Sequence, residues 1–160
     1  MPKGVLLVGV DGSGPSRAAL RWALGQARST GASIEAVTTW QATAPVYGIG
    51  QVPVDIQPVD PTEAATRTLE ETVTAVRGEE RHGPDAGADV SLRHRVVQGH
   101  PAPTLLELAR EADLLGVGTH GHGAFAGMLL GSVSAHVTGR CPCPVVVVPD
   151  RDADTRHGDR

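Results

Sequence analysis

The feature that most constrains this chain is Val5–Val10, VLLVGV, an apolar run with no polar alternation. A strand of that kind must be buried on both faces, which is the situation of a parallel strand covered by helices on either side. The 160 residues are enough for one sizeable core. Apolar residues make up 40% but aromatic ones only 2%. The core is therefore expected to be built from Val, Leu, Ile and Ala.

The segments that follow alternate in the manner of an α/β chain. Asp11-Gly12-Ser13-Gly14 reads as a turn, and Pro15 suits a first helical turn. Leu20, Ala23, Leu24 and Ala27 then form one apolar helical face, which Gly31 stops. Ser33–Trp40 reads as a second strand. Residues 41–60, rich in Pro, Gly and Gln, read as a long loop. Asp60-Pro61-Thr62-Glu63 predicts a capped helix start, with Glu63 reaching back, and the helix ends before His82-Gly83-Pro84.

Val90–Val97 is the third strand, with Val90, Leu92, His94 and Val96 on one side and arginines on the other. Pro101–Arg110 is a short helix, Leu114–Gly118 a fourth strand and Val145–Val148 a fifth, with a helix beginning near Ser132 between the last two. Residues 1–149 are expected to form one domain and 150–160 a charged, disordered tail. The order β-α-β-loop-α-β-α-β-loop-α-β implies right-handed crossovers and a parallel sheet with helices on both faces. In such sheets a ligand sits beyond the carboxyl ends of the strands, where the strand order reverses.

Several classes of function are disfavoured. Fourteen Lys and Arg against 18 acidic residues give a formal charge of −4, without the basic surplus that nucleic-acid binding needs. No stretch approaches ~18 uninterrupted apolar residues, so no membrane helix is expected. Met1-Pro2-Lys3-Gly4 lacks the regions of a signal peptide, and a cytoplasmic location is expected. Cys141 and Cys143 are the only cysteines. In an extended chain they are expected to point to opposite faces and to form no easy disulfide.

Two loops should meet at the carboxyl edge: Asp11–Ser16 and the segment Gly118–Ser134, GTHGHGAFAGMLLGSVS. The second holds Gly118, Gly121, Gly123, Gly127 and Gly131. Glycines permit positive φ and close approach to a ligand with amides exposed. Ser132 can cap a helix whose first N–H groups face the same space, an arrangement that favours phosphate. The plain alternative is a loop that needs only flexibility. Gly116, Gly118 and Gly121 formally fit the dinucleotide fingerprint, but no helix follows at once and position 141 is Cys rather than Asp or Glu. No P-loop of the common type is present.

The spacing Gly118-x2-Gly121-x9-Gly131-Ser132 resembles the G-x2-G-x9-G-[ST] motif of universal stress proteins. Val8-Gly9-Val10-Asp11-Gly12-Ser13, Glu111-Ala112-Asp113-Leu114-Leu115 and Cys143-Pro144-Val145-Val146-Val147-Val148 are also similar to that family, so the resemblance covers about residues 4–149. It implies a Rossmann-like open five-stranded parallel sheet in the order 3-2-1-4-5, and ATP as ligand, because members that keep the motif generally bind it. It implies that Asp11, with Gly12 and Ser13 in the same turn, and backbone near Val37 meet the adenine-ribose end. Gly118, Gly121, Gly131 and Ser132, with the amides of Val133 and Ser134, would hold ribose and phosphates. It also implies a homodimer through the strand Val145–Val148, an edge that invites pairing.

Other residues carry open alternatives. Asp11 could bond a ligand or merely shape its turn. His120 and His122 could approach phosphates, and His122 is taken as a site residue; two polar residues facing solvent is the plainer reading. A zinc site is not expected, since no carboxylate or cysteine lies nearby in sequence. Cys141-Pro142-Cys143 lacks redox or metal spacing and reads as small buried residues at the start of strand five. His100 suits a turn or the site equally.

No catalytic residue is assigned: residues 119–134 contain neither lysine nor arginine, and nothing there would orient water. The expected function is thus an ATP-binding regulatory or signalling protein of the stress response, with Mg2+ as an expected companion of a triphosphate. The alternatives are a slow ATPase or other nucleotide-dependent enzyme, and a cyclic AMP-binding protein.

Overall fold

The computed structural model describes residues 4–42, 59–81, 89–122 and 128–154. Five parallel strands run in the order β3-β2-β1-β4-β5, as expected. They are β1 Val5–Gly9, β2 Ser33–Trp40, β3 Leu92–Gln98, β4 Leu114–Gly118 and β5 Val145–Val148. The helices are α1 Gly14–Thr30, α2 Pro61–Glu80, α3 Pro101–Leu108, α4 Ser132–Thr138 and α5 Arg151–Asp154, with a 3-10 turn over Ala109–Glu111.

The lack of alternation in β1 has the expected cause. Leu6 and Val8 enter one core with Leu20, Ala23 and Leu24 of α1 and Leu69, Val73 and Val76 of α2. Leu7 enters the other, with Leu105 of α3, Leu115 and Val117 of β4, and Val137 of α4. Successive side chains of one strand thus feed two layers. Small residues let α1 lie close to the sheet: Ala19 and Ala23 have no exposed surface. Two ion pairs, Arg21 with Glu79 and Arg28 with Glu80, tie α1 to α2.

Four expectations are corrected. First, β3 begins at Leu92, two residues after the expected Val90, and His94 is exposed rather than facing inward. As an edge strand β3 needs only a partial apolar face, and Arg95 pairs with Glu35 of β2 at 2.9 Å. Second, Asp60 caps α2 by accepting from the Thr62 amide, but Glu63 pairs with Arg67 instead of reaching back.

Third, Arg151–Asp154, within the expected tail, form the single turn α5, and the remainder of that tail lies outside the described residues. Fourth, Cys141 and Cys143 precede β5 in a bend, half-buried, with their sulfurs 3.6 Å apart. The expectation of opposite faces fails because residues two apart share a face even in an extended chain, and here the pair lies in a bend around Pro142. Most of the 41–60 loop, His82-Gly83-Pro84, Gly123, Gly127 and positions 155–160 lie outside the described residues. No helix among the described residues is long and apolar enough to cross a membrane.

Candidate functional site

The strand order reverses between β1 and β4, which pair directly, Leu6 with Leu114 and Val8 with Gly116. Chain leaving β1 turns into α1 on one face, while chain leaving β4 travels toward α4 on the other. A crevice opens between the two departing loops. It encloses about 750 Å³, within the ~300–1,000 Å³ common for small-molecule sites.

The β1 loop is a self-supporting turn. Asp11 Oδ1 accepts from the Ser13 amide at 2.9 Å and from the Ser13 hydroxyl at 2.5 Å. Ser13 Oγ in turn accepts from the Ser16 amide and caps α1. Gly12 sits at φ +81, where a side chain would be strained, and its Cα faces Thr68 of α2. Partial burial pushes the Asp11 carboxyl up. The bonds from Ser13, a further one from Ser16 and the charge of His122 more than offset this, so Asp11 stays ionised below the usual carboxylate range.

The β4 loop folds back over that turn. His122 Nε2 lies 2.9 Å from the Asp11 carbonyl oxygen, and the Asp11 carboxylate rests on Gly121, where any side chain would displace it. At Gly118 a Cβ would come within 2.6 Å of the Pro15 backbone. At Gly131 it would come within 3.0 Å of the His120 Cα. None of these three has positive φ; each is required by close approach of backbone or side chain, not by turn conformation. The loop closes where the Gly131 amide donates to the Thr119 carbonyl at 2.7 Å and the Ser134 hydroxyl donates to the same oxygen at 2.6 Å. Ser132 is the first residue of α4 and not its cap; Gly131 holds the cap position, with extended backbone.

Of the residues expected at the site, Asp11, Val37, Gly118, Gly121 and His122 line the crevice together with Gly131, Ser132, Val133 and Ser134. Gly12 and Ser13 are not part of its wall and act instead within the turn that holds Asp11. His120 also reaches the wall, but His100 does not. Sequence reasoning missed Trp40, Pro101 and Leu105, which give the crevice an apolar side. The available signal was position: Trp40 ends β2 and Pro101 opens the helix after β3, so both stand at the carboxyl edge. Among the described residues, no three His, Cys, Asp or Glu side chains converge as a metal site would require.

Residues 4–149 match the model of the universal stress protein family. A universal stress protein of Mycolicibacterium smegmatis is 37% identical over 147 residues, covering 91% of this chain and 46% of that protein. The chain thus spans about half the length of the curated relatives it matches. Among solved structures, a universal stress protein in complex with cAMP is 30% identical, with a TM-score of 0.65 and coverage of 94% and 99% of the two chains. The UspA protein of Lactobacillus plantarum shares the fold, with a TM-score of 0.68, 21% identity and coverage of 92% and 99%. With strand order, crevice and glycine spacing in agreement, this chain belongs to the universal stress protein family.

Proposed function

We propose that the crevice binds an adenine nucleotide, ATP, and that the protein is a nucleotide-responsive regulator of stress physiology in the cytoplasm. The observation that carries this reading is the two-ended wall of the crevice. Val37, Trp40, Pro101 and Leu105 give an apolar side suited to a planar base, and Gly118, Gly121 and the start of α4 give a polar, backbone-rich side suited to ribose and phosphates. Asp11 would meet the ribose end, its turn held by Gly12 and Ser13. Ser132 and the Val133 and Ser134 amides would face phosphate, with His122 nearby. Mg2+ would accompany the triphosphate and share its charge.

Among the described residues the wall contains no lysine or arginine, and the sequence has one lysine, Lys3. Phosphoryl transfer depends on positioned cations and a group that orients the nucleophile, so binding with little turnover fits this wall better than catalysis. Cyclic AMP is the second reading, supported by the 30% identical neighbour solved with that ligand. A homodimer through the exposed edge of β5 is part of the proposal: its four valines are all half-buried, and β4 pairs along the other side only.

The test is mass spectrometry of nucleotide released from gently purified protein, followed by calorimetry with ATP, AMP and cyclic AMP. ATP carried through purification, and lost in Gly131→Val with an unchanged circular dichroism spectrum, supports the proposal. Tighter binding of cyclic AMP than ATP favours the second reading. No binding of any of the three at millimolar concentration overturns both.

A further inference from the structure

We propose that Cys141 and Cys143 form a reversible disulfide when the protein meets peroxide, making the bend before β5 a site of oxidative modification. The two sulfurs lie 3.6 Å apart, hydrogen-bonded thiol to thiol and not joined covalently. A disulfide needs about 2.05 Å, so closing it asks for a displacement of roughly 1.5 Å, within the reach of side-chain rotation. Pro142 fixes one backbone angle of the three-residue loop, which lowers the entropy lost on closure.

The ends of the bend are held from both sides. The Cys141 amide donates to the Val137 carbonyl at the end of α4, at 2.9 Å. The Leu115 amide of β4 donates to the Pro144 carbonyl, also at 2.9 Å. The main chain on either side of the pair is therefore held while the side chains stay free to rotate, and both cysteines are half-buried, within reach of a small oxidant. No other cysteine occurs in the chain to compete within the molecule.

The chemistry balances with peroxide as oxidant. One thiol takes an oxygen from hydrogen peroxide, giving a sulfenic acid and one water. The second thiol attacks that sulfur, forming the S–S bond and releasing a second water, so two thiols lose two electrons and the peroxide gains them. Burial, aided by the neighbouring Cys141 thiol, pushes the Cys143 thiol up to about 11, so the first oxidation is slow at neutral pH and either sulfur can resolve the other. Reduction by a small dithiol reverses the step.

The experiment treats fully reduced protein with hydrogen peroxide, and in parallel with diamide, then alkylates it and weighs it intact under denaturing conditions. The expected product has lost two hydrogens, takes no alkyl group, and regains both alkylation sites after dithiothreitol. Cys141→Ser and Cys143→Ser, each shown to be folded by circular dichroism, should abolish that product. Two alkyl groups on the treated protein with both reagents overturns the proposal. So does oxygen added to sulfur without loss of the two hydrogens, or a disulfide found only between chains. The readout counts hydrogens and alkyl groups on the two cysteines and does not depend on bound nucleotide, so failure here is distinct from failure of the binding proposal.

Discussion

Adding one methyl group at Gly118 should weaken the fold more than adding one almost anywhere else on the sheet. In Gly118→Ala the new Cβ would stand 2.6 Å from both the carbonyl carbon and the Cβ of Pro15, and 2.9 Å from its carbonyl oxygen. Carbon atoms rest at about 3.5–4.0 Å, so roughly 1 Å of separation must be found. The side chain at Gly118 cannot rotate away, and Pro15 is a ring of fixed φ that opens α1. Nor can α1 lift, since Ala19, Leu20 and Ala23 behind it are fully buried. Overpacking of this kind costs about 1–3 kcal/mol, and backbone on the far side of the clash puts the estimate at ~2–3. For a chain of this size that lowers Tm by roughly 4–12 °C. The comparison is Gly25→Ala, at an exposed position inside α1 where a Cβ meets nothing within 4 Å. That change should stabilise by about 0.5–1 kcal/mol through helix propensity alone. Urea and thermal unfolding followed by circular dichroism at 222 nm, a standard helix signal, measure both. If Gly118→Ala melts with the parent protein, the close packing of the β4 loop on α1 is wrong.

Three other outcomes are expected. In a Trp22→Phe background, Trp40 is the only tryptophan, and its emission should change on saturation with ATP because it lines the crevice; an unchanged spectrum with binding seen by calorimetry would remove Trp40 from the site. Asp11→Ala should destabilise by about 1–3 kcal/mol, since Ser13 loses the acceptor for both its amide and its hydroxyl. The folded Asp11 carboxyl lies below its ordinary 3.8, so its contribution is whole above that pH and disappears as pH falls through the lower folded value; the unfolding profile of Asp11→Ala should therefore be flatter than that of the parent below about pH 4. Sedimentation at micromolar concentration should give a dimer, and Val146→Lys, which places a charge on the β5 edge, should give a monomer with an unchanged helix signal.

What the sequence disclosed depended on how local the cause was. The doubly buried strands were readable because an unbroken run such as VLLVGV leaves no face for water, whatever the neighbours. The start and stop of α1 followed from Pro15 and Gly31, whose effects act within one turn. The glycines were located, but their reason was not: Gly118 is glycine because of Pro15 and Gly131 because of His120, contacts set by how two loops pack. The same limit hid the helix cap, which the path of the loop assigns to Gly131 instead of Ser132. It also shifted β3, whose mixed pattern belongs to an edge strand paired on one side only. At the crevice the polar wall was legible from glycine spacing, whereas the apolar wall of Trp40 and Leu105 carries no motif and was marked only by the position of Trp40 at the end of β2.

The central place of β1 bears on how the chain is made. Its pairing with β2 can form once β2 itself, ending at Trp40, has been synthesised, but its other edge waits for β4, and the Val5 amide meets Asp113 across 108 residues. At about 5–20 residues per second a ribosome takes roughly 5–20 s to cover that distance. During that interval the central strand of the sheet has one open edge, and the crevice has only one of its two loops. Any ligand that needs both loops can therefore stabilise only the late steps of folding, after β4 has docked.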